Sequence, residues 1–112
     1  YWGYETIHAT PQEMFEGKYQ GIRPAIGYPS IPDHSEKETL FNLLQVTEHT
    51  GITLTENYAM FPNASVCGLY FDTARASYFN IGRIGEDQVN DYANRKQIDI
   101  TFLKKLIAKN LE

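Results

Sequence analysis

A chain of 112 residues with 42% hydrophobic and 21% charged side chains is long enough to bury one core and short for two. A single folding unit over residues 1–112 is therefore expected, and disorder is excluded. The formal charge of -4, with Lys104-Lys105 as the longest basic run, argues against a nucleic-acid partner, and no apolar stretch approaches the ~20 residues that would span a membrane.

The chain enters on Tyr1-Trp2-Gly3-Tyr4 without an initiating Met, so it is expected to be a piece of a longer protein. Thr10 and Glu13 flank Pro11 in a capping-box pattern that predicts a short helix over Thr10 to Phe15. From Arg23 to Lys37 the pattern breaks. Pro24, Pro29 and Pro32 fix φ and remove backbone donors, which excludes a helix or a central strand and predicts a stiff, extended surface path. Ser35 and Glu38 form a second capping-box pattern, and Leu40, Phe41, Leu43, Leu44 and Thr47 follow at helical spacing up to Gly51, placed for a left-handed cap.

Three candidate strands come next, Leu54 to Met60, Val66 to Phe71 and Ser77 to Ile81, with connections short enough for an antiparallel meander. Glu86 to Lys96 reads as a helix with acids in its first turn and bases in its last. A final helix, Ile100 to Ala108, is capped by Asp99 and is expected to bury Leu103, Leu106 and Ile107. The resulting class is α+β: an antiparallel sheet with flanking helices. Cys67, being alone, forms no internal disulfide, and with no leader pattern visible a cytoplasmic location is the expectation.

Few residues offer chemistry. Arg23 carries a guanidinium fork suited to a carboxylate or phosphate, and Tyr28 an amphipathic ring, at the two ends of a Pro24-Ala25-Ile26-Gly27 segment. Asp33-His34 could do acid-base work or join His8 and His49 in a metal site, but no zinc-like spacing exists, and Asp33 suits a turn or cap equally well. Ser65 lacks a nucleophile elbow and Gly82-Arg83-Ile84-Gly85 lacks a phosphate-cradling loop. No catalytic residue and no metal ligand set is assigned. Tyr78 and Phe79 point to opposite faces if their segment is a strand, leaving one ring available for a pocket. Gly68 and Gly82 are expected at bulges or at close backbone approach to a ligand.

Taken together, the blocks Tyr19-Gln20-Gly21-Ile22-Arg23-Pro24-Ala25, Gly27-Tyr28-Pro29, Pro32-Asp33-His34-Ser35-Glu36-Lys37, Leu54-Thr55-Glu56, Ala59-Met60, Ala64-Ser65-Val66 and Asp87-Gln88-Val89 resemble the carboxy-terminal activation domain of cobalamin-dependent methionine synthase. The resemblance runs from about Tyr19 to Leu111. It implies a portion of that domain which binds S-adenosylmethionine through Arg23, Pro24, Ala25, Gly27 and Tyr28 and through Tyr78 and Phe79, where the family carries a tyrosine pair. It further implies that cobalamin sits on another module of the parent chain, that a flavodoxin-type protein donates an electron, and that oxidised cobalamin is remethylated. An acidic ligand contact is implied outside the present residues. The alternative is a docking module for the cobalamin domain or the reductant, with no ligand of its own. In the methyl transfer that the resemblance implies, the protein's contribution is proximity, since a neutral thioether leaves without acid catalysis.

Overall fold

The computed structural model describes residues 10–112, so the aromatic start Tyr1 to Tyr4 and His8 lie outside the described residues. Helix α1 (Pro11–Phe15) begins as its sequence predicts: the Thr10 hydroxyl accepts from the Glu13 N–H, and the Glu13 carboxylate accepts from the Thr10 N–H at 2.8 Å. Helix α2 (Glu36–Leu44) does not use the Ser35 and Glu38 capping box. Ser35 already has a helical backbone (φ -70°, ψ -14°) and its side chain caps nothing; its N–H and hydroxyl instead donate to the Asp33 carboxylate at 2.8 and 2.7 Å.

The helix expected up to Gly51 is two helices. Gln45 adopts a left-handed conformation (φ 49°) that ends α2 and begins α3 (Val46–Thr50). Periodicity is blind to this break because glutamine is a good helix former. Gly51 takes the expected left-handed cap, with His49 in the last turn. Of the apolar positions on α2, Phe41 is buried, whereas Leu43 and Leu44 are exposed.

The α+β class with antiparallel pairing holds, but the strands are rearranged. The expected strand Leu54 to Met60 is a hairpin: β1 (Thr53–Leu54) pairs antiparallel with β2 (Met60–Phe61), and the Thr55 and Ala59 backbones close the turn between them. Val66 to Phe71 does not pair with that hairpin. It runs antiparallel to the proline path through bridges Ile22 to Phe71 and Ala25 to Gly68, and Pro24, which has no N–H, keeps these bridges from merging into a ladder. Gly68 is required there because a Cβ would lie 2.6 Å from the Pro24 carbonyl oxygen; the close approach is to backbone, not to a ligand. Ser77 to Ile81 lies against Pro29 and Ser30, through the Ile81 N–H to the Pro29 carbonyl and the Ser30 hydroxyl to the Phe79 carbonyl.

Helices α4 (Glu86–Lys96) and α5 (Ile100–Leu106) form the tightest packing unit. Asp99 caps α5 by accepting from the Thr101 and Phe102 N–H groups at 2.9 and 3.0 Å, and a 3₁₀ turn (Ala108–Asn110) continues beyond it. Val89, Ala93, Leu103 and Ile107 interdigitate as the core, and Leu106, expected inside, is only partly buried. The Leu103 side chain is fully enclosed (0% exposed), so Leu103→Ala is expected to lower unfolding free energy by about 2–5 kcal/mol in a urea titration.

Candidate functional site

The proline path is held by its neighbours. The Arg23 N–H donates to the Tyr78 hydroxyl at 2.9 Å, which fastens a loop residue to an aromatic more than fifty positions later. On the other side the Arg23 guanidinium lies over the Tyr19 ring, 4.4 Å from its centre. A hydrogen bond from Arg23 holds the Tyr19 phenol below its ordinary pKa, and the same bond raises that of Arg23. Ser30 fixes the second aromatic: its hydroxyl donates to the Phe79 carbonyl at 2.6 Å.

These contacts enclose a cavity of about 480 Å³, within the ~300–1,000 Å³ usual for small-molecule sites. Arg23, Pro24, Ala25, Tyr28, Tyr78 and Phe79 all line it, together with Pro29, Ser30 and Asn80. Gly27 does not. It lies behind the wall at φ 97°, where a Cβ would meet the His34 ring at 2.2 Å, so glycine there both turns the chain and leaves room for an imidazole. Tyr28, Tyr78 and Phe79 each leave more than half of their surface open. Sequence reasoning missed Tyr19, Ser30 and Asn80; a serine after Pro29 is a turn signal, but its long-range acceptor is not legible locally.

At the end of the proline path, Asp33 forms the anchor. Only 3% exposed, its carboxylate accepts from Ser35, from the Tyr92 hydroxyl at 2.5 Å and from Lys96 Nζ at 3.0 Å. Glu36 shares both the Tyr92 hydroxyl and the Lys96 ammonium. Burial and the adjoining carboxylates raise the Tyr92 pKa, so the phenol stays protonated and donating. His34 is not a partner in this cluster: its Nδ1 lies 3.0 Å from Lys37 Nζ, and Lys37, itself buried, donates to the Tyr58 carbonyl at 2.9 Å. Partial burial and the Lys37 charge lower the His34 pKa, favouring the neutral ring that can accept from an ammonium. His34 and His49 belong to no metal-ligating cluster among the described residues. No helix among them is long and apolar enough to cross a membrane.

The sequence family described as vitamin B12 dependent methionine synthase, activation domain, matches residues 1–97. Among solved structures, one described as the MetH reactivation domain bound to AdoHcy is 46% identical to this chain, with a TM-score of 0.93. The match covers 99% of the present chain and 34% of that one.

Two outcomes test this geometry. Tyr78→Phe removes the acceptor of the Arg23 N–H and is expected to lower stability by about 0.5–1.5 kcal/mol in a denaturant titration. Burial pushes the Asp33 carboxyl up, but the hydrogen bonds from Tyr92, Ser35 and Lys96 outweigh it and leave the folded pKa below 3.8. Its stabilisation is thus present above the unfolded value of 3.8 and is lost as pH falls through the folded one; Asp33→Asn is expected to flatten the acid limb of a stability-versus-pH curve.

Proposed function

This chain belongs to the vitamin B12-dependent methionine synthase activation-domain family, and from that premise we propose that its cavity at Arg23 and Tyr78 holds S-adenosylmethionine for the remethylation of oxidised cobalamin. The observation that carries the reading is the cavity itself: one guanidinium and three open aromatic rings around about 480 Å³, with no carboxylate in the lining. That donor set fits a ligand with a carboxylate at one end, an aromatic base at the other and a cationic sulfur between. The AdoHcy described in the related structure is chemically S-adenosylmethionine without its methyl group, which supports the same ligand class here.

In this reading Arg23 binds the ligand carboxylate with its fork, while stacking on Tyr19 limits the positions the fork can take. Tyr28, Tyr78 and Phe79 line the cavity and offer their rings to the ligand. Phe79 stands where the family carries tyrosine; since Phe79 is held through its backbone by Ser30, the wall keeps its place without a second hydroxyl. Pro24 and Ala25 line the cavity on a path too stiff to collapse into the space. The bound ligand supplies a methyl group activated by its sulfonium charge. No acid or base is needed from the protein, which contributes position.

The parent protein is read as a cobalamin-dependent methyltransferase, with residues 1–112 as one folding unit of its activation domain. Cobalamin belongs on another module of the same polypeptide and the electron comes from a flavodoxin-type donor, in the cytoplasm. Arg23→Ala in the full-length protein is expected to weaken S-adenosylmethionine binding about tenfold to a hundredfold by calorimetry, with the thermal midpoint little changed. Undiminished affinity would overturn the assignment, and no heat from the unsubstituted protein would leave the docking alternative in its place.

A further inference from the structure

On the far side of the Tyr28-Pro29 turn lies a second cavity, of about 410 Å³, between the proline path and the α5 to 3₁₀ end of the chain. It shares Tyr28, Pro29 and Asn80 with the first cavity but not Arg23, Tyr78 or Phe79. His34, Lys105, Lys109 and Asn80 line it, with Pro32 and Leu106 as apolar wall, and no carboxylate lines it at all. In a chain with 14 acidic and 10 basic residues that is a local reversal of sign.

The polar groups there are donors. Lys104 is paired with Glu86 at 2.8 Å, but Lys105 and Lys109 have no carboxylate within ion-pair distance among the described residues. Lys37 has only protons to give, so the neutral His34 ring accepts at Nδ1 and carries its own proton on Nε2. Asn80 spends its carbonyl oxygen on the Gly82 N–H at 2.8 Å, which leaves its amide N–H groups to donate. The Lys109 charge also reaches His34, since it contributes to lowering the imidazole pKa, alongside burial and Lys37 and against Asp33. Two ammonium groups, an imidazole N–H and an amide in one lining, with no guanidinium fork, match the three oxygens of a phosphate better than the two of a carboxylate.

We infer that this cavity is a second ligand site, which takes the phosphate group of a small organic phosphate on His34, Lys105, Lys109 and Asn80, with the organic part against Pro32 and Leu106. Lys105 and Lys109 are exposed, so replacing them leaves the packing intact. The test is equilibrium dialysis of inorganic phosphate against the full-length protein at fixed ionic strength, with acetate as competitor. Saturable binding is expected, weakened about tenfold or more by the Lys105→Gln/Lys109→Gln pair, resistant to acetate and unchanged by Arg23→Ala. Absence of saturation, or binding indifferent to the lysine pair, overturns the site. Competition by acetate at equal concentration overturns the phosphate class, and loss with Arg23→Ala moves the ion to the first cavity. Apart from that last outcome, these results leave the S-adenosylmethionine reading untouched, because they do not involve the first cavity.

Discussion

Pro24, Pro29 and Pro32 each lack a backbone donor, so the segment that forms the cavity wall has only a short antiparallel pairing, Ile22 to Ile26 against Cys67 to Phe71, to hold it. Side chains from distant parts of the chain complete the hold. Tyr78 takes the Arg23 N–H, Ser30 takes Phe79, and the buried Asp33 ties the end of the path to Tyr92 and Lys96 of α4. Buried carboxylates are costly unless fully satisfied, and Asp33 is satisfied by donors from both sides. The stiffness of the wall therefore has two sources: fixed φ within it and charged hydrogen bonds at its end.

That arrangement links the α4/α5 core to the cavity. Val89 and Ala93 pack α4 against Leu103 and Ile107, and the same helix carries Tyr92 and Lys96 toward Asp33. Movement of α4 relative to the proline path would break the partly buried Lys96 to Asp33 ion pair, so the path is tied to the most enclosed part of the molecule. Lys37 performs a similar task toward the hairpin turn, where Tyr58 offers its carbonyl from a left-handed residue. For a site whose contribution is placement of a reactive ligand, rigidity of this kind is the relevant property.

The two cavities divide the chemistry between them. One combines a guanidinium with open aromatic rings, the other combines ammonium and imidazole donors with a proline and a leucine. The Tyr28-Pro29 turn is their common wall, and Gly27 makes that wall thin enough for His34 to sit directly behind it. A single stiff turn thus presents one face to each.

Local patterns in the sequence determined the elements whose causes are local. The reciprocal cap at Thr10 and Glu13, the bounds of α4 with Glu86 and Asp87 first and Arg95 and Lys96 last, the Asp99 cap and the left-handed Gly51 each follow from residues within one turn of one another. The run from Arg23 to Tyr28 was legible as neither helix nor regular strand, because prolines act on their own backbone, but not as a surface: Pro24 and Ile26 are buried. What lay beyond reach was anything settled by competition between distant groups. Ser35 reads as a cap but takes a helical backbone and turns its hydroxyl to Asp33, Val66 to Phe71 was a sound meander strand until the proline path claimed its hydrogen bonds, and helical spacing could not register the left-handed turn at Gln45. Only the tertiary structure decided that Arg23 and Tyr78 meet, since a backbone N–H and a phenol 55 positions apart carry no periodic signal and are joined solely by how the loops pack.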